Sequence, residues 1–243
     1  MYGEKLNDRE RQRIIRNLFM NFGRNIVDVF RMKKYYHRQI RDLIEVEGLE
    51  NFDAAYRRGR GVLGITGHIG NFELLAAFFA DSGYKVAVIG REMYDRRLND
   101  LLVENRSALG EANIDTQDSP RRALKFLKEG YVIGVLMDID SMRVRSEFVP
   151  FMGKPARTPV GQSILGLKTG AGFVPVACVR QGKRYKIIIK PEIKIDRTND
   201  FNRDVYNITK RCSEALEEII HEYKDQWIWI HDRWLTRPEG EDT

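Results

Sequence analysis

Residues 61–73 read GVLGITGHIGNFE, and the order of residue types within that stretch decides the architecture. The first six are small, apolar or β-branched with no charge among them, the pattern of a strand buried on both faces. Gly67 to Asn71 then form a short glycine-containing loop, and the apolar run that starts at Phe72 predicts a helix over 72–82. A buried strand that passes through such a loop into a helix is the first half of a βαβ unit, in which neighbouring strands run parallel.

The same alternation continues downstream. Apolar runs predict strands at 85–89, 131–137 (YVIGVLM), 173–179 and 184–189. Amphipathic spacing predicts helices at 94–109, 119–127, 158–168 and 202–222, two of them opened by Ser119-Pro120 and Thr158-Pro159. The expected fold class is α/β, a mostly parallel central sheet flanked by helices on both faces. In such sheets the functional residues lie in loops at the carboxyl ends of strands. Three places qualify: Gly67 to Asn71, Gly90 to Glu92, and Asp138 to Arg145.

Upstream of residue 59 the chain reads as helical throughout. Asn7-Asp8 caps a first helix carrying Ile14, Ile15, Leu18, Phe19 and Phe22, and a second follows through Ile26, Val29 and Phe30. Arg31, Lys33, Lys34, His37, Arg38 and Arg41 cluster on it, with Tyr35 and Tyr36 among them. Basic and aromatic residues mixed on one helix suit an anionic lipid surface; a solvated basic face with inward-packed aromatics fits the same pattern. The organisation expected is a helical segment at 1–58, packed on or near a membrane surface, and one continuous α/β core at 59–243.

The bulk numbers narrow the class. The 41 Lys and Arg against 35 Asp and Glu give a net charge of +6, so anionic partners are favoured without choosing among them. Charged residues make up 31% of the chain and no run approaches the roughly 18 consecutive apolar residues of a membrane span. No secretory leader is recognisable at the start. Cys178 and Cys212 are the only cysteines, and their spacing builds no metal site. No nucleic-acid-binding motif is present, so nucleic acid is set aside as a partner.

Chemistry concentrates in the three strand-end loops. His68 lies in the first loop and Glu73 five residues on, in the first helical turn. If the chain folds back, the carboxylate can hold one ring nitrogen and leave the other free to take a proton from an alcohol; a histidine that caps the helix or fills a polar pocket is the bland alternative. Arg91 follows the second strand, and Arg106 precedes Gly110 by four residues. Either guanidinium could grip a phosphate or form a surface ion pair. Asp138-Ile139-Asp140 follows the strand YVIGVLM. An Asp-x-Asp there is a metal signature of many glycosyltransferases, or a pair of carboxylates organising Arg143 and Arg145.

GHIGNFE (67–73), Arg91, Arg106-x-x-x-Gly110, GVLMDID (134–140), FVPFMGKPARTPVG (148–161), TGAGFVPV (169–176) and WIWIHDRWLTRP (227–238) occur in that order. In this the chain resembles the bacterial lipid A biosynthesis (lauroyl/myristoyl) acyltransferases, within the lysophospholipid acyltransferase superfamily. The resemblance covers nearly everything from Gly61 onward. It implies an α/β sandwich and a His–Glu dyad, with His68 as general base on an acceptor hydroxyl and Glu73 behind it. The donor implied is an acyl thioester of acyl carrier protein or coenzyme A, and the acceptor an anionic lipid A precursor or another glycolipid such as a phosphatidylinositol mannoside. Arg91, Arg106 and Asp138 would bind substrate, Gly153 would let backbone approach it closely, and neither metal nor cofactor is required. The location implied is the cytoplasmic face of the cell inner membrane, peripheral for this chain, which lacks the anchor helix that family members usually carry. His231 matches a family position but has no partner evident in sequence, and the tryptophans around it read as core. The competing classes are a metal-dependent glycosyltransferase using Asp138 and Asp140, and a non-enzymatic basic binding module.

Overall fold

The computed structural model describes residues 6–90, 94–115 and 119–240. It begins with helix α1 (Asp8–Tyr35), closed at its start by a capping box in which Asn7 and Glu10 each accept the other's backbone N–H at 3.0 Å. The two helices expected here are one, 28 residues long. A single turn of π-helix (Tyr36–Ile40) and one of 3-10 helix (Arg41–Leu43) lead into strand β1 (Ile44–Glu47) and helix α2 (Leu49–Tyr56). The first 58 residues are therefore not helical throughout. Ile-Glu-Val-Glu alternates with period two, and Glu45 and Glu47 pair across the strands with Arg184 and Lys186 at 2.9 and 2.5 Å.

From there the chain alternates: β2 (Val62–Thr66), α3 (Phe72–Asp81), β3 (Val86–Gly90), α4 (Arg96–Ala108), β4 (Ala112–Asp115), α5 (Ser119–Lys128) and β5 (Val132–Leu136). A hairpin of β6 (Ser146–Phe151) and β7 (Lys154–Pro159) interrupts the pattern before α6 (Gly161–Thr169), β8 (Gly172–Gln181), β9 (Arg184–Ile189) and α7 (Phe201–Glu222). Strand β4 and the hairpin were not anticipated, and the helix expected from 158 starts at Gly161, because Thr158 and Pro159 close β7. The seven-stranded sheet has the order β1-β9-β8-β2-β5-β3-β4 and is parallel at every junction but β8–β9. This is the α/β class the strand and helix alternation predicts.

Side-chain alternation along the strands makes two cores. Leu63, Ile65, Ile133, Phe173 and Ala177 face α5 and α7, through Ala123, Leu127, Ile208, Leu216 and Ile219. Val62, Val86, Val132, Val174 and Val176 face α2 and α3, through Phe52, Ala55, Leu74 and Phe78. Helices thus cover both faces, as buried parallel strands require.

Helix α1 is fastened to this second face at two points. Fully buried Asn105 of α4 inserts its amide into the α1 backbone, donating to Val29 O at 2.8 Å and accepting from Lys33 N–H at 3.0 Å. Those are the two groups an uninterrupted helix would join to each other. Further back, the Arg180 guanidinium ties Asn25, Asp28 and Tyr185 together, and Asn25 donates to Gly70 O at 2.9 Å.

Candidate active site

Strands β2 and β5 are parallel neighbours with Thr66 opposite Leu136. His68 and Asp138 each lie two residues beyond those partners, so the register alone delivers both to the same point above the sheet. His68 Nδ1 lies 2.9 Å from Asp138 Oδ1, and the His68 backbone N–H donates to Oδ2 at 2.7 Å. An ionised carboxylate only accepts, so Nδ1 carries the proton and Nε2 presents its lone pair. Burial opposes charge on the ring, but the bond to Asp138 and its negative charge outweigh this and hold the His68 pKa above the ordinary histidine value. Burial works likewise against charge on Asp138, and His68 and Trp227 still hold its carboxyl below its usual range.

The loop carrying His68 has no slack. Asn71 caps α3, accepting from Leu74 N–H at 3.1 Å. Gly70 donates to Gln226 O at 3.0 Å, Asn71 donates to Cys178 O at 2.7 Å, and His68 O accepts from Ile228 N–H at 2.9 Å. Two glycines are obligatory. A Cβ on Gly67 would stand 2.7 Å from Asp138 Oδ2, and one on Gly70, at φ +58°, would stand 2.0 Å from Cys178 O.

The segment after α7 closes over Asp138. Trp227 Nε1 donates to Oδ2 at 2.7 Å, His231 Nε2 lies 2.9 Å from the Asp138 carbonyl, and Thr236 N–H donates to Asp140 Oδ2 at 2.7 Å. Arg233, 1% exposed, donates to Arg157 O and Thr158 Oγ1 and lies over the Phe151 ring. The tryptophans are core, as expected: Trp227 is buried, with Trp229 and Trp234 packed beside it. Sequence reasoning missed Trp227 and His231 as members of the site. His231 lies 5.8 Å from His68, ring to ring, and its partner is a backbone carbonyl, which residue identities do not signal.

Glu73 does not meet His68; this corrects the contact expected within the dyad. From the first turn of α3 its carboxylate faces α4, where Arg106 takes both oxygens at 2.9 and 2.5 Å. The Arg106 side chain is 9% exposed and commits its Nε and Nη2 to Glu73. Behind the pair lies Glu111, 5% exposed, with neither carboxylate oxygen hydrogen-bonded. Burial, reinforced by the charge of Glu73, pushes its pKa up to about 8.

Two apolar cavities share Phe72 and Glu73 as a common wall. One, about 70 Å3, is a channel between α3 and the sheet, with Thr66 and Arg106 toward the site and Phe52, Phe79 and Val132 in its depth. Gly64 and Gly134, opposite each other in the β2–β5 register, leave its floor without side chains. Thr66 Oγ1, buried, has no hydrogen-bond partner there. The other cavity, about 240 Å3, is a groove between α1 and α4 that ends at Gly70, Asn71 and Glu73. A further hollow, about 860 Å3, is an open depression near Lys168, Thr169 and Arg197 at the opposite ends of the strands from His68.

Of the remaining expected site residues, Arg91 lies outside the described residues. Gly153 forms the tip of the β6–β7 hairpin with Met152, both at positive φ (78° and 50°), the geometry a two-residue hairpin turn demands. A Cβ at Gly153 would meet nothing within 4 Å, so the turn itself accounts for the glycine. Asp138 and Asp140 do not organise the arginines that follow: Arg145 donates to Asn202 instead, at 3.0 Å. Among the described residues no group of three or more His, Cys, Asp or Glu is placed to hold a metal, and no helix is long and apolar enough to cross a membrane.

The profile of the family described as bacterial lipid A biosynthesis acyltransferase matches residues 2–236. The chain is 26% identical over 249 residues to the lipid A biosynthesis palmitoleoyltransferase of Escherichia coli (strain K12), covering 96% of this chain and 75% of that one. It is 26% identical over 239 residues to the lipid A biosynthesis lauroyltransferase of the same strain, covering 97% and 76%. It is 24% identical over 221 residues to the phosphatidylinositol mannoside acyltransferase of Mycobacterium tuberculosis (strain ATCC 25618 / H37Rv), covering 88% and 68%. With the match running from one end of the fold to the other, the chain is an acyltransferase and belongs to the bacterial lipid A biosynthesis acyltransferase family.

Proposed function

We propose that the chain moves a fatty acyl group from a thioester, on acyl carrier protein or coenzyme A, to a hydroxyl of an anionic membrane glycolipid, with a lipid A precursor as first choice. The similarity to a phosphatidylinositol mannoside acyltransferase keeps a mannosylated inositol lipid as the second. The observation that carries the reading is the His68–Asp138 pair, with Nδ1 anchored at 2.9 Å and Nε2 without a protein hydrogen bond among the described residues.

The chemistry follows from that tautomer. Nε2 takes the proton of the acceptor hydroxyl as its oxygen attacks the thioester carbonyl, and the imidazolium formed is stabilised by Asp138. The tetrahedral intermediate collapses with cleavage of the C–S bond, and the thiolate leaves as thiol with the proton from His68. Asp138 thus takes the orienting role first assigned to Glu73. Glu73, locked to Arg106, fixes the start of α3 where the two cavities meet. The transferred chain lies in the channel against the sheet, which begins beside Phe72, itself in edge contact with the His68 ring at 5.4 Å.

Helix α1 supports work at a lipid surface. Ile15, Phe19, Phe22, Ile26 and Phe30 are exposed and follow helical spacing, so they form one apolar stripe. By helical spacing Arg16 and Lys34 flank that stripe, and basic residues beside an apolar stripe favour anionic bilayers. The reading places the chain peripherally on the cytoplasmic face of the inner membrane. A metal-dependent glycosyltransferase is disfavoured because both Asp138 oxygens accept bonds from His68 and Trp227.

The test is transfer of a radiolabelled acyl group from acyl carrier protein or coenzyme A to a Kdo-bearing lipid A precursor, and to a phosphatidylinositol mannoside, in micelles. Transfer insensitive to EDTA and lost in a folded His68→Ala variant is expected. Full activity in His68→Ala would overturn the mechanism, and inactivity with every donor and acceptor would overturn the substrate class.

A further inference from the structure

A transferred chain fills one cavity, and two apolar cavities meet at Phe72 and Glu73. The channel against the sheet is narrow and lies in the protein interior; the groove between α1 and α4 is more than three times larger and is walled in part by exposed residues of α1. Its walls are Ile26, Val29 and Phe30 of α1 and Leu98, Leu101 and Leu102 of α4. The groove exists because the two helices are pinned at one end only. Asn105 is spliced into the α1 backbone, and Lys33 pairs with Glu104 at 2.9 Å beside it. Toward the start of α4 no such bond closes the helices among the described residues, and they leave an apolar wedge.

We propose that this groove holds an aliphatic chain of the lipid acceptor while the acceptor stays seated in the bilayer. The inference rests on the acyl-transfer reading and deepens it. Phe22, Ile26 and Phe30 belong both to the groove and to the exposed stripe of α1, so the groove opens on the face that meets the membrane. Lys34, one turn beyond Phe30 on that helix, matches an anionic head group. At its inner end lie Gly70, Asn71 and Glu73, two to five residues from His68. A lipid whose tail entered along α1 would bring its head group toward the catalytic loop. Asn25, which lines the groove and donates to Gly70 O, joins the wall of the tail site directly to that loop.

The occupant is a membrane lipid rather than the acyl donor. A donor thioester arrives on a soluble carrier and needs no outlet toward the bilayer, whereas an acceptor anchored by its own chains does. A chain that leaves the bilayer for an equally apolar wall exposes no methylene to water, so its hydrophobic free energy is little changed by the move.

The test uses vesicles containing phosphatidylglycerol with a photoreactive diazirine near the end of one acyl chain. After irradiation, labelled residues are mapped by mass spectrometry on the full chain. Label on both 26–30 and 101–102 is expected, because Leu101 and Leu102 are half-buried and line the groove, whereas Leu98 is open to a chain lying on the surface. Leu98→Trp, at a position partly exposed and therefore tolerant of bulk, should cut the α4 label by about tenfold and raise KM for the intact acceptor more than for its deacylated head group. Label confined to Ile15 and Phe19, with α4 unmarked in the wild-type chain, would overturn the proposal by showing that the helix lies on the bilayer without admitting a tail. The photolabel needs no turnover, so it decides the groove even where the transfer assay fails and the acyl-transfer reading falls with it.

Discussion

Asp138 holds His68 from two directions, its Oδ1 on the ring at 2.9 Å and its Oδ2 on the backbone N–H at 2.7 Å. The ring therefore cannot swing without the loop moving, and the loop is fixed to Gln226, Cys178 and Ile228. Orientation and tautomer are set before any substrate arrives, which is what a general base needs if its reach is to be spent on the transition state.

The pH profile should report this pair. The His68 pKa is raised, and only the neutral ring accepts a proton, so kcat/KM should rise with pH through a pKa above the usual ~6.5. Asp138→Asn removes the charge that raises it; the limb should move to lower pH while kcat falls ~100-fold or more. Stability follows the sign of each shift. The His68 share is complete below ~6.5 and lost as pH rises through its folded pKa, and the Asp138 share is lost on acidification through its own. A limb unmoved in Asp138→Asn would show that another group titrates.

Gly67→Ala isolates the geometry of the pair from its chemistry. The added methyl meets Asp138 Oδ2 at 2.7 Å and Leu216 Cδ2 at 3.1 Å, so the carboxylate must shift although no ionisable group has changed. Activity should fall by at least ~10-fold, with a loss of stability of ~1–3 kcal/mol from overpacking, read by urea unfolding. Wild-type kinetics in this variant would mean that the Asp138 position is not critical.

Gly134 sets up a test of the channel. A Cβ there meets nothing within 4 Å, so Gly134→Leu fills the floor without an evident backbone clash. Donor preference, measured with saturated thioesters from decanoyl to stearoyl, should move toward shorter chains. An unchanged preference with unchanged folding would place the transferred chain elsewhere.

Glu111 offers a prediction on stability alone. Its pKa of about 8 in the folded chain exceeds the ordinary carboxylate value of 4.5, so between these values the folded state binds the extra proton. Stability should decline by up to about 1.4 kcal/mol per pH unit as pH rises across that window. Glu111→Gln should flatten the decline and leave the chain more stable than wild type at pH 9, measured as Tm against pH. Parallel curves for the two proteins would show that Glu111 finds a partner when ionised.

How much of this was legible in the sequence depends on range. The strand at 62–66, the loop and the helix from Phe72 follow from local pattern, and with them the α/β class. Strand β1 was hidden because four residues between helices give little periodicity, and its pairing with β9 lies about 140 residues away. Strand β4 carries Asn113 between apolar residues and ends at Asp115, so it lacks an apolar run. His68, Glu73, Arg106 and Asp138 were all singled out, yet their pairing was crossed. Proximity along the chain favoured Glu73 for His68, whereas the β2–β5 register brings Asp138 to the ring and the face of α3 turns Glu73 toward Arg106. Contacts of this kind are a property of strand order, which no local window contains.

The closure of residues 226–236 over Asp138 also orders events in time. During synthesis His68 and Asp138 leave the ribosome well before Trp227, His231 and Thr236, the residues that bond the aspartate and its neighbour. Until those last turns emerge, the carboxylate has neither its indole donor nor its cover. The bonds that complete the surroundings of Asp138 therefore form only after residues 226–236 have been made.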